Sequence, residues 1–169
     1  KVFPSPQFYI RDSRSAISYN DTLMLLDEVE ITLKAGHGGP GRASFNPGQH
    51  SGPNGGNGGK GGDIYIIVTS DLRALNQFSK TQLKEAENGE MGGHFQQSGR
   101  DGNDMEIEMP IGTELTDLHS GEIFILDDLS KRIMICKGGI GGKGNFELKS
   151  PRKTTPLYRD WEKKAVRDG

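Results

Sequence analysis

The sequence predicts a mainly β fold, a small barrel or sandwich with little α-helix. Three observations predict it: short apolar segments of strand character recur along the chain, turn residues separate them, and three stretches are unusually rich in glycine. The chain has 169 residues, which suits one domain with or without a tail. Hydrophobic residues make up only 32% of it, so the core must be compact.

The expected strands show either a two-residue polar–apolar alternation or a dense β-branched composition. A hairpin is indicated where two of them flank His119-Ser120-Gly121. Asp71 is suited to cap a short helical segment that follows it. We expect strands at residues 28–34, 63–69, 104–109, 115–118, 123–126 and 132–136, one or two helical turns at 71–78, and a weak helix at 157–166.

The glycine-rich stretches are residues 36–62, with 12 Gly in 27 positions, residues 88–102 and residues 138–144. A disordered linker is one interpretation of such composition. Against it, the glycines alternate with Asn, His and Lys, and structureless loops of this length are uncommon between two strands. Ordering twelve glycines costs about 6–12 kcal/mol of backbone entropy, so the conformation must be one that only glycine permits. A bundle of extended polyproline-II-type segments with closely spaced backbones meets that condition.

One heptamer, Gly-Gly-x-Gly-Gly-Lys-Gly, occurs at residues 55–61 and again at 138–144. A phosphate-binding P-loop requires Gly-x4-Gly-Lys-Ser/Thr. Both copies fail at both ends, because Asn54 and Lys137 stand where the first glycine is needed and Gly61 and Gly144 follow the lysines. We therefore expect a binding module and no nucleotide hydrolysis by this chain.

Charge is unevenly distributed, although the net formal charge is only −2. Residues 101–130 carry nine acids and no Lys or Arg, whereas residues 131–169 carry eleven Lys or Arg against four acids. A local positive field that favours an anionic partner and a chance difference between solvated surfaces are equally compatible with this pattern.

The first residues and the single cysteine indicate the cellular compartment of the protein. Residues 1–23 lack the apolar core of a secretion signal and are expected to be a disordered extension or tag, with an organelle transit peptide as the alternative. No apolar run is long enough to span a membrane. The single cysteine, Cys136, is interpreted as a buried hydrophobe and fits a reducing, cytoplasmic environment. The scattered histidines show no metal-ligand spacing, so we expect no metal site.

A set of motifs occurs in order along most of the chain: Asp27–Ile31, Lys34–Gly41, Gly55–Asp63, Leu72-x-x-Leu75-x-x-Phe78, Gly99–Asp104, Pro110-x-Gly112-Thr113, Asp127–Leu129 and Gly138–Phe146. This set resembles the Obg (CgtA) family of GTPases over about residues 25–160. The resemblance implies an Obg fold: a β-barrel base of eight strands that carries a bundle of six glycine-rich left-handed helices. The expected domain covers residues 24–160, with 161–169 as a tail leading to a final strand.

The resemblance also implies a function. Family members bind the large ribosomal subunit, act in its late assembly and respond to guanine nucleotides. GTP and Mg²⁺ are expected in a GTP-binding domain beyond Gly169, and no cofactor is expected in this chain, which should be monomeric. One departure concerns the first glycine stretch, where the family's basic Phe-Arg-Arg-type sequence is replaced by residues 45–50, Phe-Asn-Pro-Gly-Gln-His.

If the partner is ribosomal RNA, cations in or beside the glycine stretches should contact phosphates. A protein-interaction module without RNA contact remains the alternative. Phe45, Phe78 and Phe146 are expected to anchor the glycine segments. The candidate RNA contacts are Arg42, His50, Lys60, Lys80, Lys84, Arg100, Lys143, Lys149, Arg152 and Lys153, and the candidate structural glycines are Gly38, Gly39, Gly55, Gly56, Gly58, Gly59, Gly138, Gly139, Gly141 and Gly142.

Overall fold

A computed structural model describes residues 6–12, 28–47, 52–78 and 83–148. Within these ranges the chain is mainly β, with eight strands, two 3₁₀ helices and no α-helix. It divides into two compact units. Among the described residues, the strand unit comprises 6–12, 28–34, 64–78, 83–85 and 106–136, and the glycine unit comprises 35–47, 52–63, 86–105 and 137–148.

The strands form two sheets, one with five strands and one with three. The five-stranded sheet has the order β4 (Leu83–Glu85), β2 (Glu28–Lys34), β1 (Gln7–Asp12), β6 (Thr113–Asp117), β7 (Ile123–Ile125), and the three-stranded sheet has the order β5 (Met105–Pro110), β3 (Ile64–Thr69), β8 (Arg132–Cys136). In the first sheet β1 pairs antiparallel with β2 and β6, β7 continues beyond β6, and the short β4 runs parallel to β2.

The core of the strand unit follows directly from the alternation of its strands. In β2, Val29, Ile31 and Leu33 are buried, and the residues at 28 and 30 between them are exposed. The 3₁₀ helix Ala74–Phe78 adds Leu75 and Phe78 to this core, at 2% and 1% exposure. Asp71 precedes this helix, as predicted, and its carboxylate accepts a hydrogen bond from the N–H of Arg73 at 2.9 Å.

The predicted strands at 28–34 and 132–136 are confirmed with the same bounds, and those at 63–69 and 104–109 are confirmed within one residue. The predicted hairpin is also confirmed, since β6 and β7 pair antiparallel on either side of residues 118–122. The weak helix predicted at 157–166 lies outside the described residues. The domain bounds 24–160 and 161–169 remain predictions.

The expectation of disorder over residues 1–23 is wrong for Gln7–Asp12, which form β1. Phe8 and Ile10 are exposed by only 3% and 0%, because β1 lies between β2 and β6. Two inward-facing apolar side chains are too short a pattern to distinguish a strand from an irregular segment. The structure does not describe residues 1–5 and 13–23.

Cys136 lies at the end of β8 and is 6% exposed, which confirms its interpretation as a buried hydrophobe. Burial raises the pKa of its thiol to about 11, and the negative charge of Asp117 adds to the increase. The thiolate that nucleophilic or redox chemistry requires is therefore scarce at neutral pH.

Asp117 organises the turn between β6 and β7. Its carboxylate accepts hydrogen bonds from the hydroxyl of Ser120 at 2.7 Å and from the N–H of His119 at 2.9 Å. These bonds, the Ser120 hydroxyl foremost, lower the pKa of Asp117 below its ordinary value. Since the folded pKa is depressed, the stabilisation is present above the unfolded pKa and is lost as the pH falls through the folded value.

Ser120→Ala is therefore expected to raise the pKa of Asp117 toward its ordinary value, as measured by carboxyl-carbon NMR titration. Ser130→Ala is the matched control, because Ser130 donates a similar hydrogen bond to Asp128 at 2.8 Å. That control should leave the titration of Asp117 unchanged. An unchanged pKa of Asp117 in Ser120→Ala would contradict the assigned cause.

Within the described part of the chain, no helix is long and apolar enough to cross a membrane.

Candidate nucleic-acid interface

The described part of the glycine unit consists largely of five extended segments that, apart from Met105 at the start of β5, are not strands of either sheet. They coincide with the three glycine-rich stretches of the sequence. We name them A (35–46), B (52–63), C (86–93), D (96–105) and E (137–145).

Segment B forms backbone hydrogen bonds with all four other segments, and its bonds to each one recur at every third residue. The N–H groups of Gly56, Gly59 and Gly62 donate to segment C, and the carbonyls of the same residues accept from segment A, at 2.8–3.0 Å. Segment E accepts from Gly58 and Gly61 at 2.8 Å, and segment D donates to the carbonyls of Asn54, Asn57, Lys60 and Asp63 at 2.6–2.8 Å. The glycine stretches are thus hydrogen-bonded into one structure.

Glycine is required in these segments because the backbones lie too close for a side chain. A Cβ atom built at Gly58 would lie 1.8 Å from the carbonyl oxygen of Gly39, and one at Gly141 would lie 1.9 Å from that of Gly58. All ten glycines singled out from the sequence have a backbone atom of another segment 1.8–2.9 Å from the Cβ position. The reason is not a left-handed φ, since the described glycines with positive φ, Gly112 and Gly121, belong to the strand unit.

The polar residues between the glycines complete the hydrogen bonding, a role that sequence reasoning missed. Asn145 is 2% exposed; its side-chain oxygen accepts from the N–H groups of Gly55 at 2.8 Å and Ser44 at 3.4 Å, and its amide donates to the carbonyl of Ser44 at 3.0 Å. Asp63, 4% exposed, accepts from the N–H of Gly138 at 2.6 Å. Other N–H groups donate to the side chains of Asn57, Glu87, Asn88, Asp101 and Asp104.

The candidate cations differ in how firmly they are engaged. The ammonium of Lys60 lies 2.7 Å from the carboxylate of Asp63 and so compensates a buried charge. Arg100 pairs with Glu87 at 2.7 Å and with Glu90 at 3.5 Å, but its side chain is 61% exposed. Lys143 lies 3.2 Å from Glu147 with its side chain 47% exposed. Exposed pairs of this kind contribute at most about 1 kcal/mol, so these two cations can exchange a carboxylate for a phosphate.

Arg42 and Lys84 are arranged differently. Arg42, in segment A, forms no ion pair with any residue that the structure describes. Lys84 belongs to β4 of the strand unit, and its ammonium lies 5.7 Å from the centre of the Phe78 ring. The remaining candidates, His50, Lys80, Lys149, Arg152 and Lys153, lie outside the described residues.

Of the three expected phenylalanine anchors, Phe78 is buried at 1% exposure, whereas Phe45 and Phe146 are 43% and 38% exposed. The two exposed rings are therefore available to a partner. In the described ranges, no group of three His, Cys, Asp or Glu residues is arranged to hold a metal ion.

The chain resembles known proteins over most of its length. The family model described as GTP1/OBG matches residues 26–166. The chain is 42% identical over 138 residues to the GTPase Obg of Malacoplasma penetrans, an alignment that covers 79% of this chain and 32% of that protein. It is 40% identical over 143 residues to the GTPase Obg of Sulfurihydrogenibium sp., covering 81% of this chain and 41% of that protein. The chain thus spans about a third to two fifths of the length of these curated relatives.

Proposed function

Since the chain belongs to the GTP1/OBG family, as the match over residues 26–166 shows, we propose that it is the N-terminal domain of a ribosome-associated GTPase. In this proposal it binds the large ribosomal subunit through ribosomal RNA and contributes to assembly of that subunit in the cytoplasm. GTP and Mg²⁺ bind in a GTP-binding domain, outside the third of the family proteins that this chain matches. The family match carries the proposal, and the exposed cations of the glycine unit support it.

We further propose that segments A to E are left-handed helices of the polyproline-II type. The supporting observation is the three-residue period of the hydrogen bonds along segment B, because this helix has three residues per turn and no internal hydrogen bonds. Such a bundle is a rigid support, and its outward-facing side chains keep fixed positions. Rigidity of this kind lowers the entropy lost when the side chains bind an RNA surface.

The RNA contacts of the proposal are the cations and histidine that the sequence singles out. Arg42, Arg100 and Lys143 are the described members best placed to contact phosphates. Arg42 forms no ion pair with a described residue, and the ion pairs of Arg100 and Lys143 are exposed. Lys60 contributes less, because its ammonium compensates Asp63. Lys84 and the five candidates outside the described residues complete the set.

Co-sedimentation of the chain with purified large ribosomal subunits tests this function. We expect binding at low salt that weakens steeply as salt rises, since each phosphate contact releases a counterion. Arg42→Glu should lower the affinity and reduce the slope of log affinity against log salt by about 1. Arg73→Glu, at an exposed arginine of the strand unit outside the candidate set, is the matched control and should bind as the wild type does. Absence of co-sedimentation at low salt would refute the proposal.

The alternative is a structural module that binds a protein and makes no direct contact with RNA. The pairing of Lys60, Arg100 and Lys143 with acidic side chains favours it, as does the net charge of −2. Binding to large subunits that persists at high salt, together with no affinity for protein-free ribosomal RNA, would select this alternative.

A further inference from the structure

Three exposed phenylalanines lie at one end of the glycine unit, which we call the aromatic end and define by Phe45, Phe95 and Phe146. Their neighbours in sequence are hydrogen-bonded to one another. Ser44 accepts from the N–H of Asn54 at 2.8 Å and from the side-chain amide of Asn145 at 3.0 Å, and Asn54 accepts from the N–H of Gln96 at 2.6 Å. Each phenylalanine is adjacent in sequence to one of these residues.

Phe95 is the most exposed of the three, at 69%, and its backbone is held in an unusual conformation. Phe95 and Gln96 have φ angles of 52° and 63°, in the left-handed region that glycine adopts readily and other residues rarely adopt. Two hydrogen bonds close the turn around them, from the N–H of Gly93 to the carbonyl of Gln97 at 2.7 Å and from the N–H of Gln97 to that of His94 at 3.1 Å. The turn therefore presents a large apolar ring to solvent in a conformation that glycine would adopt more readily.

Charges are distributed unevenly along the glycine unit. Acidic side chains cluster around residues 59–63 of segment B: Asp101 accepts from the N–H of Lys60, and Asp104 accepts from that of Asp63. Arg42 lies instead near the aromatic end, where its carbonyl accepts from the N–H of Asn145 at 3.0 Å. No ion pair between Arg42 and another described residue neutralises it. Glu147, next to Phe146, is paired with Lys143 at 3.2 Å, so Arg42 adds a positive charge at the aromatic end to a pair that is already balanced.

We propose that the aromatic end stacks on unpaired RNA bases, with Phe95 as the principal ring and Arg42 on the adjacent phosphate. Unpaired bases bind proteins by stacking on aromatic side chains, and any base suffices because each has a π face. This inference rests on the proposed binding to ribosomal RNA. It adds to that function a contact that depends on bases, whereas the cations recognise only the backbone.

The test compares three fluorescent RNA probes: an oligoadenylate dodecamer, an abasic dodecamer of the same charge, and a duplex of the same length. We expect the wild-type chain to bind oligoadenylate about 5- to 150-fold more tightly than the abasic probe of the same charge, the range for one stacked base. The duplex, whose bases are not free to stack on the ring, should gain no such preference even though it carries more phosphates. Phe95→Gly should remove most of this preference. Glycine suits the φ of 52°, so this variant is expected to keep its fold, which a thermal melt checks.

Two further variants sharpen the result. Phe95→Trp should retain the preference and show quenching of its indole emission on binding. Ile140→Ala is the matched control, because Ile140 is 67% exposed in the same unit but lies outside the aromatic end, and it should bind as the wild type does. Equal binding of oligoadenylate and the abasic strand by the wild type would overturn the inference, and so would an unchanged preference in Phe95→Gly.

Parallel co-sedimentation with large subunits separates this inference from the proposed function. If the wild type and Phe95→Gly sediment equally and neither distinguishes the probes, the stacking inference fails and the function stands. If the wild type prefers oligoadenylate but does not sediment, the proposed function fails and stacking stands. If Phe95→Gly loses only sedimentation, without a base preference in the wild type, the aromatic end binds a ribosomal protein and the inference is overturned.

Discussion

Gly58→Val is expected to destabilise the glycine unit by more than about 4 kcal/mol, most of the stability of a typical small domain. A Cβ at this position would lie 1.8 Å from the carbonyl oxygen of Gly39, a backbone atom that cannot rotate away. Relieving the overlap requires segments A and B to separate, which breaks the bonds from Gly36, Gly39 and Arg42 to segment B. Gly141→Val should behave alike, since its Cβ would meet the carbonyl oxygen of Gly58 at 1.9 Å.

Thermal unfolding followed by circular dichroism measures the effect, and Gly93→Ala provides the control. A Cβ at Gly93 would lie 3.1 Å from the Cβ of Gln97 and 3.4 Å from its backbone oxygen, so a shift of a few tenths of an ångström accommodates it. Gly93→Ala should therefore change the midpoint of unfolding by a few degrees at most. An unchanged midpoint in Gly58→Val would contradict the close packing of the segments.

Asn145→Ala is expected to cost about 3 kcal/mol of unfolding free energy. The truncation removes three hydrogen bonds and leaves the N–H of Gly55 and both backbone groups of Ser44 without this partner in a buried setting. Each buried polar group left unsatisfied costs about 1–3 kcal/mol, and water entering the space of the lost amide offsets part of the sum.

Asn103→Ala is the control for this change, because Asn103 is exposed in the same unit and donates a hydrogen bond through its backbone N–H. That bond to Glu87 survives the substitution, so chemical denaturation should give a free energy within about 0.5 kcal/mol of the wild type. Equal losses in the two variants would show that Asn145 is not the buried bridge that its contacts indicate.

Much of the strand unit could be predicted because its strands carry their own pattern. Val29, Ile31 and Leu33 alternate with polar residues, and that alternation both predicts the strand and identifies its buried face. Strand β4, with three residues and parallel pairing to β2, was not predicted, since it carries too few side chains to show a period. Its position is fixed by the strand beside it.

The sequence predicts that the glycine unit is ordered, but not which of its segments lie side by side. Glycines carry no side chains, so the sequence gives no pattern from which the pairing of residue 54 with 96, or of 44 with 145, can be read. The informative signal lies in the residues between them. In segment B, Asn54, Asn57, Lys60 and Asp63 stand at every third position with two glycines between each pair, so the repeated heptamer is a portion of a three-residue period.

This period also limits how such a chain can evolve. Losing one residue from segment B would move every following glycine to the wrong side of the segment and direct Lys60 or Asp63 toward a neighbouring backbone. Losing three would leave every remaining residue facing as before and would shorten the segment by one repeat. Segments of this kind can therefore lengthen or shorten only in steps of three residues, and neighbouring segments must change with them to keep their hydrogen bonds.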